Sequence, residues 1–456
     1  MYKNHNILVK LPFANRKLEL QELDSAAAAG GLAVIFGRRR VGKTRLLVRW
    51  LMRHEGLYSQ AIEATKEQQI DQVFGDIKES LATTIVPKSW GELLELLTLQ
   101  KKKRWIFCLD EFPYLVAADP SLPSVLQRWL DHSTAENSLL ILSGSSTRMM
   151  NAIFLNRSAP LYGRASKLLH VDPMSYAAFC GACHRNPADE ESFNLFSLVG
   201  GVPKYWEFVR PQQTAVALAE DLFFGFAPYL DEEPARVLRD ENIAGMTALS
   251  VLEAVGRGAE KPSEIATRIG TAQTNLTRLL QQLLDASVLA RELPFGESIR
   301  STKRTLYRIQ DPALRFWFRV YSPHRSRWHQ YSLSEKIKLV RDHASTVFED
   351  FYRDLYPDAS RYWEAGLEFD SVREEQDAAG RSRIIVSEIK WTTLRAASRE
   401  KIAYRLAETW GRSALCNRYN KVEFEVIDAS VLKTVKRDRG ASAGRGSRVS
   451  PLLKRV

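Results

Sequence analysis

Cysteine is scarce. The 456 residues hold four, Cys108, Cys180, Cys183 and Cys416, too few and too scattered for a disulfide framework, which suits a reducing cytoplasm. Long apolar runs are missing as well. A membrane helix needs roughly 20 apolar residues in succession; AAAAGGLAVIF, which opens at Ala26, is shorter and runs straight into a glycine loop. The amino end, MYKNHNILVK, has no apolar signal core. No membrane partner is expected, and the cytoplasm is the expected location. Cys180, Cys183 and His184 match a haem-attachment spacing. Covalent attachment follows export, however, and no second cysteine pair is present to complete a zinc site; the pattern reads as a coincidence at the end of the helix PMSYAAF. Acidic residues are outnumbered. Lys and Arg total 65 against 54 Asp and Glu, a net charge of +11 with pI ≈ 9.4. That balance favours a polyanionic partner, nucleic acid first. The apolar share, 45%, is ordinary for a globular chain, and the length accommodates roughly two to four domains.

What is present begins with GRRRVGKT, from Gly37 to Thr44. It fits GxxxxGK[ST]; the apolar run Leu32–Phe36 precedes it, and a helical pattern with Leu46, Leu47 and Trp50 on one side follows. Strand, loop and helix in that order are what a phosphate-binding loop requires. Gly37 and Gly42 allow backbone conformations closed to other residues, so that the loop, Val41 included, can wrap a polyphosphate with its N–H groups inward. Lys43 would reach the β- and γ-phosphates and Thr44 would place its hydroxyl on Mg²⁺. Two readings stand for Arg38, Arg39 and Arg40: positive field at the nucleotide, or solvated surface.

Downstream, KKKRWIFCLDEFPYL contains a buried-strand run, Trp105 to Leu109, closed by Asp110 and Glu111. An Asp at a strand's carboxyl end can hold the water shell of Mg²⁺, and a Glu beside it can orient the attacking water. SLLILSGSS, from Ser138 to Ser146, reads as a further buried strand. A polar residue at its end, Ser143 or Ser145, would sense the γ-phosphate, or the stretch is a plain Ser/Gly turn. PLYGR ends in Arg164, which either assists phosphoryl transfer, in cis or from a neighbouring copy, or lies on the surface.

FANRKLEL, GRRRVGKT, LDEFPYL, SGSS, PLYGR and LVGGVPKYW (Leu198 to Trp206) together resemble the archaeal-type ATPases, P-loop proteins of the AAA+-related signalling NTPase group. The resemblance implies ATP and Mg²⁺ as cofactors, Walker A at Gly37–Thr44, Walker B at Asp110 and Glu111, and Pro203 as the proline that follows the nucleotide domain.

Residues 191–242 are mostly helical in pattern and read as a lid, with Phe223, Phe224 and Phe226 in one cluster. From Met246 the text reads as a winged helix. ALSVLEAV and PSEIATRIG are its first two helices, and TAQTNLTRLLQQLLDASVL its third, with Leu276, Leu279, Leu280 and Leu283 as the core stripe. Thr274, Arg278 and Gln281 lie opposite, where a recognition helix meets the major groove; such units also bind proteins. LARELPF and TLYRIQD would pair as the wing. In the following segment Phe316, Trp317 and Val320 read as packed. Arg325, Arg327 and Trp328 read either as nucleic-acid contacts or as part of a cationic connector.

The last region carries its own chemistry. VFEDFYRDLY is a helix bearing Glu349, GLEFD ends a strand at Asp370, and RIIVSEIKW carries Glu388 and Lys390 on one face of another strand. Asp370 and Glu388 would bind Mg²⁺, Lys390 would position or activate water, and Glu349 would assist. The arrangement resembles the PD-(D/E)xK, restriction-endonuclease-like fold, with Phe369 where the name has Pro. A near match, Asp76 to Lys78, lies in a helical stretch. The basic tail from Lys433 reads as disordered or as a non-specific phosphate contact.

The expected architecture is α/β: a P-loop NTPase core with a parallel sheet (1–172), a helical lid (173–242), a winged helix-turn-helix (243–312), an α/β restriction-endonuclease-like domain (313–435) and a basic tail (436–456). The expected function is an ATPase coupled to DNA binding and Mg²⁺-dependent cleavage, assembling as a homo-oligomer on ATP binding. The rival is an ATP-switched regulator whose nuclease-like fold only binds. A helicase-like motor is disfavoured because no further helicase motif is found.

Overall fold

The structure, a computed structural model, describes residues 11–435 apart from 82, 84, 100–103, 133–137, 244, 301 and 377–381. The part of the expected tail beyond 435 lies outside the described residues. A five-stranded parallel sheet comes first: β1 (Gly31–Phe36), β2 (Leu57–Gln60), β3 (Ile106–Asp110), β4 (Leu139–Gly144) and β5 (Lys167–His170), in the order β2-β3-β4-β1-β5. Helices cover both faces, so β3, β4 and all of β1 after Gly31 are buried, as the uninterrupted apolar runs in their sequences require. β4 stands between β1 and β3, and all three carboxyl ends open on the same edge.

After β5 the chain runs through helices Tyr176–Ala182 and Glu190–Val199. Ser175 and Asp189 cap them, accepting from the amides of Ala178 and Glu191. Two close approaches fix this connection. A Cβ on Gly37 would sit 2.4 Å from the Val171 carbonyl oxygen, and one on Gly201 would sit 2.3 Å from that of Met174.

Helices Met246–Gly256, Pro262–Ile269 and Gln273–Asp285 precede a two-stranded antiparallel ribbon of β6 (Leu289–Glu292) and β7 (Leu306–Ile309). Leu276, Leu280 and Leu283 are buried, Leu279 is partly buried, and Gly270 ends the second helix at φ +70°. The 22-residue helix Leu333–Asp354 leads into a mixed sheet, β11-β10-β9-β8: β8 (Ser360–Glu364), β9 (Leu367–Gln376), β10 (Ser382–Ile389) and β11 (Val422–Ile427). β10 pairs parallel with β11 and antiparallel with β9, and helix Ala396–Gly411 packs on the sheet.

The cores do not divide where the expected domains divide. One core joins Tyr176, Phe193 and Trp206 of the lid region to Phe316, Phe348, Tyr352 and Trp391. Phe193 lies edge-on to Phe348, with ring centroids 5.4 Å apart, so the 333–354 helix is anchored on helix Glu190–Val199, in the stretch expected as a lid. Within that lid Phe223 is buried, but Phe226 is 99% exposed and belongs to no cluster. Phe224 instead stacks on Trp328, centroids 3.9 Å apart and planes 6° apart. Trp328 is therefore buried and cannot stack on a base. Phe316 and Val320 are buried and Trp317 partly so. Cys180 is buried in the same core, and burial pushes the Cys183 thiol up to about 12; both are packing residues. Asp76 to Lys78 lie in helix Lys66–Leu81. No described helix is long and apolar enough to cross a membrane.

Candidate nucleotide and metal sites

β1 delivers the chain to the loop, and helix Lys43–His54 starts behind Gly42, which holds φ +96°. Lys43 is buried. Its ammonium donates to the carbonyls of Gly37 (2.8 Å) and Arg38 (3.1 Å) and has no carboxylate within ion-pair distance among the described residues. Burial lowers its pKa to about 8, against the opposing pull of Glu111 and Asp110. A buried cation whose hydrogen bonds go only to backbone carbonyls fits an incoming anion, and a polyphosphate fits this cradle. Val41 is fully buried, and its carbonyl accepts from Arg16 at 2.8 Å.

Asp110 ends β3, fully buried. It accepts from the Thr44 hydroxyl at 2.7 Å, the Tyr58 hydroxyl at 2.9 Å and the Glu111 amide at 3.0 Å. Thr44 and Asp110 thus face each other where a Mg²⁺ with its waters would join them to a phosphate. Glu111 adopts φ +56°, a left-handed conformation that few non-glycine residues take. Its carboxylate accepts from the Ser145 amide (3.2 Å) and hydroxyl. Ser145 is thereby placed against Glu111. The Ser143 hydroxyl is buried with no hydrogen-bond partner.

The three arginines do something neither reading expected. Arg38 pairs with Asp311, Arg39 with Asp240 and Arg40 with Glu233. Arg40 also lies over the Tyr229 ring, 5.3 Å from its centroid, while the Tyr205 hydroxyl donates to Glu233 at 2.5 Å. Although burial opposes its charge, Asp311, then Tyr205 and Glu233, hold the Arg38 guanidinium above its ordinary pKa. As placed, these side chains tie the loop to helix Glu233–Asp240 and to the segment after β7; they are not left free for a nucleotide. Helix Glu233–Asp240 also reaches the opposite wall. Glu241, just past its end, accepts from the Ser146 hydroxyl (2.8 Å) and from the amides of Thr147 (3.0 Å) and Arg148 (3.1 Å) at the start of the helix after β4. Burial raises the Glu241 pKa against those donors.

Arg164 is corrected. It forms a two-pronged pair with Asp131, 3.0 Å at each contact. It lies two residues before Ser166, whose amide donates to the Leu32 carbonyl and whose hydroxyl contacts the carbonyls of Gly30 and Leu32. Arg164 therefore belongs to the amino end of β1, across the sheet from the loop, and cannot reach a nucleotide in the same chain.

In the carboxyl-terminal sheet Asp370, Glu388 and Lys390 come together. Lys390 lies just past β10, its ammonium 2.6 Å from Glu388 and 3.8 Å from Asp370. Asp370 is not the end of a strand as expected: β9 runs through it to Gln376. The Ile389 amide donates to its carboxylate at 2.7 Å. Burial, then Glu388, pushes the Asp370 pKa up to about 6; burial, then Asp370, pushes Glu349 up to about 7. Despite burial, the Glu388 hydrogen bond and Asp370 raise the Lys390 pKa. Mutual repulsion of the carboxylates is what a divalent cation would relieve. Here the ammonium sits between two of them, and among the described residues no three His, Cys, Asp or Glu form a ready-made metal group. Phe369 is buried beside Tyr362.

Thr274, Arg278 and Gln281 are exposed on helix Gln273–Asp285. Gln281 is tied to Asp285 at 2.7 Å and to Arg291 at 3.4 Å; Arg278 has no ion-pair partner among the described residues. Tyr58, Glu233, Asp240, Glu241 and Asp311 escaped the sequence reading. Only Asp311 carried a signal, the Asp-Pro pair of a capped helix start; its carboxylate accepts from the Leu314 amide at 2.8 Å.

Residues 13–209 match the family described as an ATPase domain predominantly from Archaea; this chain contains an archaeal-type ATPase domain. An uncharacterized protein of Methanocaldococcus jannaschii is 25% identical over 419 residues, 86% of this chain and 90% of that protein. A Walker-type ATPase of Pyrococcus abyssi superposes with a TM-score of 0.52 at 18% identity, covering 68% of this chain and 96% of that one. That likeness shows the shared α/β fold with its parallel sheet.

Proposed function

We propose that the chain binds and hydrolyses ATP with Mg²⁺ and uses nucleotide state to set how its outer regions engage DNA. The observation that carries this reading is that one loop does both jobs: GRRRVGKT forms the phosphate cradle and, through three consecutive arginines, holds the lid and the segment after β7. Lys43 takes the β- and γ-phosphates, Thr44 and Asp110 hold the metal, and Glu111 orients the attacking water once Ser145 releases it. Phosphate oxygens arriving at the loop compete with Asp240 and Glu233 for Arg39 and Arg40. ATP binding thereby loosens the lid and frees the winged-helix-like unit, whose Thr274, Arg278 and Gln281 face solvent as a major-groove reader would present them. Arg164, paired with Asp131 and far from its own nucleotide, would serve a neighbouring copy if ATP drives homo-oligomer formation. In the carboxyl-terminal region Asp370 and Glu388 hold Mg²⁺, with Lys390 displaced onto the scissile phosphate and Glu349 at the edge.

The second reading, a regulator without cleavage, is favoured by one feature: Lys390 already neutralises Glu388 and approaches Asp370. One experiment separates the two: ATPase and DNA-cleavage assays on the full chain with Mg²⁺ or Mn²⁺, with and without ATP. The enzyme reading expects cleavage that stops with chelator and vanishes in Lys390→Ala while ATP hydrolysis continues. No cleavage under any condition leaves the regulator. Absence of ATP hydrolysis as well removes the whole reading.

A further inference from the structure

Beside the Asp370–Glu388–Lys390 cluster opens a cleft of about 910 Å³. Its two walls differ in charge. One, built from the turn between β8 and β9 and the end of β10, carries Glu364, Glu368, Glu388 and Lys390. Each carboxylate there is already engaged. Glu364 accepts from the Tyr362 hydroxyl (2.8 Å) and the Ala414 amide (2.9 Å), Glu368 from Arg361 (2.6 Å) and Glu388 from Lys390 (2.6 Å). The facing wall is helix Ala396–Gly411 and the residues after it, which present Arg405 and Arg412. Both are exposed, and neither has a carboxylate within ion-pair distance among the described residues; Glu408, between them on the helix, pairs with neither. Ile402 supplies apolar surface, Leu406 is buried in the core beneath it, and Thr409 adds a hydroxyl.

Two unpaired guanidinium groups opposite a carboxylate cluster are the donors a phosphodiester chain needs, since each can fork onto phosphate oxygens. An apolar surface beside two phosphate donors suits an unpaired chain, whose bases are free to lie on it; in a duplex the bases are stacked inside.

We propose that this cleft binds an unpaired strand of nucleic acid, with Arg405 and Arg412 each taking a phosphate, a base lying over Ile402, and the backbone passing Glu388 and Lys390. What happens to that phosphate rests on the nuclease-like reading above; the binding does not. The test is fluorescence anisotropy with the full chain, a labelled short oligo(dT) and a blunt duplex of the same length, with calcium in place of magnesium. Both arginines lie on exposed surface, so Arg405→Ala/Arg412→Ala should leave the fold intact, checked by unchanged ATP binding. The double variant should weaken oligo(dT) binding about tenfold and lower the slope of log affinity against log salt by roughly 1.4, two phosphates' worth on a single strand, while duplex binding changes less than about twofold. Oligo(dT) affinity within about twofold of the parent, or an equal loss on duplex, overturns the proposal. If the strand binds through the two arginines but nothing is cut in Mg²⁺ or Mn²⁺, the cleft stands and the nuclease-like reading falls. If DNA is cut in a Lys390-dependent way and the arginines make no difference to binding, the cleft falls and the nuclease-like centre stands.

Discussion

The chain holds two lysines at sites suited to phosphate chemistry, and they are prepared in opposite ways. Lys43 is buried, donates only to backbone carbonyls, and is held at a lowered pKa. Lys390 is partly exposed, sits against Glu388 with Asp370 nearby, and is held at a raised one. At the first site the ammonium has no carboxylate bonded to it, and the site is complete once a polyphosphate arrives. At the second, one ammonium already lies against two carboxylates and has to move before another cation can enter. A loop built on backbone geometry is organised in advance; a cluster built on side chains has a resting state of its own.

The sharpest way to break this contrast is Lys43→Ala. Losing the only ammonium in the cradle should weaken ATP binding about a thousandfold, read by calorimetry. An unchanged affinity would remove the preorganised site. Next in size is Glu233→Ala, which strands Arg40 and leaves the Tyr205 hydroxyl without its acceptor. Breaking a mostly buried ion pair from one side should cost about 3 kcal/mol of stability, measured by denaturant unfolding, and saturating ATP should recover part of it if phosphate takes over the arginine. Recovery without nucleotide, or none with it, argues against competition at the loop. Glu111→Gln should bind ATP normally and hydrolyse it about a hundredfold more slowly. Turnover at the parent rate would move the catalytic role elsewhere.

The smallest effect concerns His343, fully buried, with Nε2 2.8 Å from the Ser197 carbonyl. Burial lowers its pKa to about 3, so below its unfolded value of about 6.5 the unfolded chain takes up a proton that the folded chain refuses. Stability is therefore lost as pH falls from 6.5 towards 3, by about 1.4 kcal/mol per pH unit at most. His343→Phe should remove that slope from unfolding curves between pH 6.5 and 5; an unaltered slope would show that other groups set it.

The loop and the strand before it were legible because glycine spacing and an apolar run are local properties. Asp110 was legible for the same reason. The partners of Arg38, Arg39 and Arg40 were not, since they lie 273, 201 and 193 residues away, and no local pattern marks an acid that meets a distant base. Arg164 was left between a nucleotide role and a surface position because its neighbours in sequence do not reveal which end of the sheet it occupies. Trp328 was left between two readings because its stacking partner, Phe224, is contributed by another helix. The strand through Asp370 was cut short because the charged run after Val372 resembles a loop, although those residues form the far end of β9 against β10.

The two bare contacts on either side of residues 171–174 have a mechanical meaning. Gly37 touches the Val171 carbonyl and Gly201 touches that of Met174, each without room for a methyl group. The Met174 amide also donates to the Gly201 carbonyl at 2.7 Å. The short link after the parallel sheet is thus held at both ends by bare backbone, so a side chain at either glycine would push the phosphate loop or the Gly201 turn off the link they share.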